Sequence, residues 1–66
     1  MAIHDEILEA VETYKAESEN FDNNNVKASA ARARKALMEL TKLAKSRRLE
    51  IQERKNNLSL EYNENI

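Results

Sequence analysis

The sequence predicts an all-α protein: an antiparallel helical hairpin with a longer second helix, self-associating as a coiled-coil or four-helix-bundle-like dimer. Three observations predict it. The 66 residues include no Gly and no Pro, on which tight β turns and phosphate-cradling loops depend, and they are rich in Ala, Leu, Glu, Lys and Arg. Apolar residues recur in steps of three and four along two stretches. A run of Asn separates those stretches. The chain reads as one domain over 1–66: a helix over 3–21, an Asn-rich turn over 22–25, a helix over 26–56 and a tail over 57–66.

The first helix is amphipathic. Ile3, Ile7, Ala10, Tyr14 and Phe21 fall at helical spacing, and Leu8 and Val11 widen the stripe. Asp5, Glu6 and Glu9 occupy its first turns, where negative charge suits the helix dipole. The break is Asp22 to Val26, "DNNNV". Asn tolerates the left-handed conformation that ends a helix, and Asn and Asp also cap helix N-termini. A short polar connection between two helical patterns gives antiparallel neighbours; the alternative is one helix running through the Asn residues.

The second helix carries Ala30, Ala33, Leu37, Leu40, Ala44, Arg47, Ile51, Arg54 and Leu58 as a heptad seam, with Ala36 and Leu43 beside it. Nineteen residues of helix span ~28 Å and thirty span ~45 Å. The first helix therefore leaves Ile51 and Leu58, with Leu49 and Leu60 nearby, without cover. The expected interface between copies is Leu37, Leu40, Ala44, Ile51 and Leu58. A chain this short buries only ~60% of its unfolded surface, so a partner subunit is the expected reinforcement. The tail "LSLEYNENI" fits either a frayed helical end or a loop.

Other classes of function find little to stand on. There is no Cys, and His4 is the only His, so neither a disulfide framework nor a metal site is expected. Ser18, Ser29, Ser46 and Ser59 have no evident base. The carboxylate pairs Glu6 with Glu9 and Glu9 with Glu12 face water on a helix. Tyr14, Phe21 and Tyr62 are too scattered to form a base-stacking platform. We expect no enzyme activity, no cofactor and no small-molecule substrate. No apolar run reaches the ~18 residues of a membrane span, and the acidic N-terminus is unlike a signal peptide; a soluble intracellular protein is expected.

Charge is the strongest signal. Residues 1–26 hold seven acidic side chains and one Lys, residues 27–55 hold ten basic and three acidic, and the chain as a whole is −1. Between Lys27 and Arg48 the only acid is Glu39. At ~100° per residue, Lys27, Arg34, Lys35, Lys42, Lys45 and Arg48 share one broad face, roughly opposite Ala33, Leu37, Leu40, Ala44 and Ile51. Arg32 lies toward one edge. Arg47 and Arg54 lie on the seam side, where Glu12, Glu17 or Glu19 of the first helix can pair with them. One reading is a solvated charged face, although such faces normally interleave both signs. The other is a rail for phosphate. Double-stranded DNA carries one negative charge per ~1.7 Å of axis and needs no base-specific geometry to meet such a rail. The expected contacts are Lys27, Arg32, Arg34, Lys35, Lys42, Lys45 and Arg48. A protein–protein module, with its basic face on an acidic partner or its seam on another coiled coil, is the alternative.

The segment "NVKASAARARKALMELTKLAKSRR", Asn25 to Arg48, resembles the chlamydial-type, linker-histone-like proteins of bacteria, which condense DNA. The resemblance rests on Lys27-Ala28, Arg32-Ala33-Arg34, Leu40 to Leu43 around Lys42, then Lys45 and Arg48, preceded by a similar acidic amphipathic helix. It covers about thirty of the 66 residues. It implies a helical, self-associating DNA-binding protein of the cytoplasmic nucleoid. The best-known members carry a long Lys-rich C-terminal tail, whereas this sequence ends in "NNLSLEYNENI". DNA contact is therefore expected from the helix itself, with bridging or architectural binding rather than strong condensation.

Overall fold

The computed structural model describes residues 2–63, with side chains from 2 to 58. It is a two-helix hairpin. Helix α1 spans Ile3–Asn24 and α2 spans Lys27–Asn63. Among the described residues only Ala2, Asn25 and Val26 are not helical.

The turn is tighter than the expected Asn-rich loop. Helix α1 continues past Phe21 through Asp22, Asn23 and Asn24, and the reversal is made by Asn25 at φ 56°, ψ 35°. This is the one non-Gly residue with positive φ in the described chain. The Asn25 N–H donates to the Phe21 carbonyl at 3.0 Å, the single bond of a left-handed C-terminal cap. Asn24 Nδ2 donates to Asn20 Oδ1 at 3.0 Å on the last turn. Helix α2 starts at once, with Ser29 N–H donating to the Val26 carbonyl at 3.0 Å.

Helix α2 is also longer than expected. It passes Asn56, the predicted end, and runs to Asn63. Gln52 Nε2 donates to Asn56 Oδ1 at 3.2 Å across that point. An exposed Asn costs a helix only ~0.7 kcal/mol relative to Ala, too little to stop one already 30 residues long. The predicted tail is thus helical as far as Asn63; its last residues, 64–66, and the side chains of Leu60 and Tyr62 lie outside the described residues.

The helices meet where side chains are smallest. Ala10 of α1 and Ser29, Ala33 and Ala36 of α2 are buried. Ile3, Ile7 and Tyr14 of α1 and Ala30, Leu40 and Leu43 of α2 are half-buried around them. This centre is rotated from the predicted seam. Ala36 and Ser29 take the middle, while Leu37, at 46% exposed, is left at the edge. The reason is steric: small residues let two helix backbones approach closely, so dispersion contacts form over the whole length of the ridge.

Helix lengths then define an overhang. At ~1.5 Å per residue α1 is ~33 Å long and α2 ~55 Å, in a molecule 60 Å in its longest dimension. Glu17 lies opposite Arg32, so Ile3 falls near residue 46. Beyond about Arg47, α2 has no cover from α1 in the hairpin. Ile51 and Leu58 are both about half exposed there, as expected.

Candidate nucleic-acid interface

Helix α2 places its cations by periodicity alone. Lys27, Arg32, Arg34, Lys35, Lys42, Lys45 and Arg48 are all exposed. Five of them lie on the side turned away from Ser29, Ala33 and Ala36, while Arg32 and Lys35 border the cleft shared with α1. Over Lys27 to Arg48 this face is ~32 Å long.

Arg32 differs from the rest. It sits at the edge next to α1, where its Nε forms an ion pair with Glu17 Oε2. Its Nη2 donates to Ser29 Oγ at 3.3 Å. The guanidinium thereby covers the end of the buried small-residue contact. Glu17, one of three α1 acids expected within reach of Arg47 and Arg54, pairs with Arg32 instead. Arg47 instead pairs within its own helix with Glu50, three residues on. Among the described residues these are the two ion pairs, so the other six basic-face cations have no carboxylate partner there.

The two edges of the hairpin have opposite character. One edge holds a cleft of about 480 Å³ lined by Glu6, Glu9 and Thr13 of α1 and by Arg32, Lys35 and Glu39 of α2, with Ala10 and Ala36 at its floor. Charges of both signs line it, and among the described residues no group of His, Cys, Asp or Glu is arranged to hold a metal ion. The other edge is apolar. Helical periodicity puts Val11 of α1 and Leu37 and Ala44 of α2 on that side, all exposed, with Leu8 farther out on α1. Leu37, Ala44, Ile51 and Leu58 are spaced by seven and continue this line along the overhang. Of the predicted interface residues, Leu40 alone is partly used within the hairpin.

The Arg32 ion pair is not legible in the sequence. That contact depends on the register between helices, which the turn geometry at Asn25 sets. Among the described residues no helix is long and apolar enough to cross a membrane.

No curated protein and no solved structure matches this chain. A family model does: that of the histone H1-like protein Hc1 matches residues 1–57, which takes in both helices, the turn and the whole basic face. With far more than half of its length matched, the chain belongs to the histone H1-like Hc1 family.

Proposed function

We propose that the chain is a sequence-independent DNA-binding protein of the nucleoid that lies along the phosphate backbone of double-stranded DNA. Lys27, Arg34, Lys35, Lys42, Lys45 and Arg48 make the contacts, and Arg32 joins them when it exchanges Glu17 for a phosphate. The observation that carries this reading is the exposed, unpaired basic face of α2, ~32 Å long. A duplex segment of that length presents ~19 negative charges. The segment is already helical and the cations recur on one side, so the match requires no folding on binding. Membership of a histone H1-like family supports the same reading. The acidic α1 lies behind the rail and leaves it open.

The same chain is proposed to form a homodimer through the Leu37, Ala44, Ile51 and Leu58 line. On the overhang, Ile51 and Leu58 are flanked by Arg47, Arg48, Arg54 and Lys55. An acidic amphipathic helix complements that surface, and α1 of a second copy is one, with Leu8 and Val11 exposed among Asp5, Glu12 and Glu19. Two copies that exchange these contacts present two basic faces and can bridge two DNA segments. A protein partner other than a second copy would need the same acidic, apolar helix.

The test is charge reversal. Arg34→Glu, Lys42→Glu and Lys45→Glu together should weaken binding by the same factor on unrelated duplexes of equal A·T content, because phosphate contacts carry no base information. Helicity should be unchanged, since none of the three touches α1. Undiminished binding by the triple variant would transfer the function to the protein-partner reading.

A further inference from the structure

The basic face is not purely basic. Met38 is 65% exposed and Leu49 61%; Met38 stands in the middle of it and Leu49 just past its end. At ~100° per residue, Met38 lies within about 40° of Lys27, Arg34, Lys42 and Lys45. It points away from α1, so it does nothing for the hairpin. It also lies about 100° around the helix from Leu37, so it is no part of the apolar line proposed to join two copies.

Its neighbours along the axis define what it can touch. Arg34 is four residues before Met38 and Lys42 four residues after. The two cations thus flank Met38 about one turn to either side and ~40° around the helix in opposite directions. The major groove of DNA is ~12 Å wide and admits an α-helix lengthwise. A helix seated along the groove with Met38 turned to the floor sets Arg34 and Arg48 toward one phosphate wall and Lys42 and Lys35 toward the other. The thioether is then held over the groove floor. The apolar group exposed on that floor is the C5-methyl of thymine.

Resting on the DNA reading above, we infer that Met38 covers thymine methyl groups in the major groove and gives the protein a preference for thymine-bearing duplex. The phosphate contacts fix the helix along the groove; Met38 adds the one contact that distinguishes bases. An unbranched thioether with three rotatable bonds reaches methyls at slightly different positions. The preference is accordingly for thymine content and not for a defined site.

The experiment compares two duplexes of one sequence, one containing thymine and one containing uracil at every thymine position. The methyl group is the chemical difference between them. Binding of the full chain is followed by fluorescence anisotropy at two salt concentrations. The parent should bind the uracil duplex about fourfold more weakly for each methyl covered, the transfer value of one such group. Met38→Ala keeps a good helix former at an exposed position. It should bind both duplexes equally and keep the parent's dependence on salt, because the phosphate contacts are intact. Equal binding of both duplexes by the parent, with salt sensitivity retained, would overturn this inference and leave the DNA reading standing. A preference that persists in Met38→Ala would also overturn it, since it would then come from duplex shape. Absence of salt-sensitive binding to either duplex would remove the DNA reading and this inference with it.

Discussion

Asn25 carries the reversal of the chain, so its substitution should reveal what holds the hairpin closed. Its φ of 56° and ψ of 35° lie in the left-handed region, where a residue with a Cβ pays roughly 1–2 kcal/mol. Asn pays less than most, and Gly pays nothing of this kind. Asn25→Gly should therefore be neutral to stabilising by a few tenths of a kcal/mol, because the freer unfolded chain offsets part of the relief. Asn25→Val adds a branched Cβ and should cost about 1–2 kcal/mol. In a domain this small, each kcal/mol moves the midpoint of thermal unfolding by ~4–8 °C. The Val variant should melt ~4–16 °C below the Gly variant when followed by circular dichroism. A second outcome belongs to the same change. If residue 25 turns right-handed, α1 and α2 become one helix of ~92 Å, against the 60 Å of the hairpin. Small-angle scattering would show the longer dimension, together with a higher mass as copies cover each other's small-residue face. Gly and Val variants that melt alike and keep the parent's dimensions would refute the account of the turn.

Two further substitutions test the surfaces. Glu17→Gln should release Arg32 for phosphate, steepening the plot of log affinity against log salt by about 0.9; folding should change by under ~1 kcal/mol, since the pair is partly exposed. An unchanged slope would mean that Arg32 stays out of the interface. Ile51→Asp is half exposed in a single hairpin and should leave its helicity intact, yet it would bury an unpaired charge in the dimer. Sedimentation should show dimer for the parent and monomer for the variant at tens of micromolar. A parent that is already a stable monomer would refute the proposed self-association.

The two helices, their antiparallel order and the outward basic face were legible in the sequence because each rests on periodicity within one helix. What depends on the contact between helices was not. Any of Asn23, Asn24 and Asn25 can take the left-handed position, and the choice of Asn25 carries α1 to Asn24. That choice fixes the register, and the register fixes Glu17 on Arg32. The packing centre was legible in part, since the Ala-rich first half of α2, with Ala33 in the seam and Ala36 beside it, suits a close approach; its rotation was not. Large apolar residues draw attention to the Leu37 and Ile51 line, whereas the close contact forms on Ser29, Ala33 and Ala36, whose advantage is lack of bulk. Ser29 between Ala28, Ala30 and Ala31 was the available signal. The end of α2 was misplaced at Asn56 because two exposed Asn are weak stops in a long helix.

The central claim is that the outward cations of α2 meet DNA phosphates. The most direct measurement is the affinity of the parent for a duplex across a series of salt concentrations. Six phosphate contacts per copy predict that log affinity falls linearly with log salt with a slope of about −5, and more steeply if a dimer engages both faces. A slope near zero, or no binding at low salt, would contradict the account.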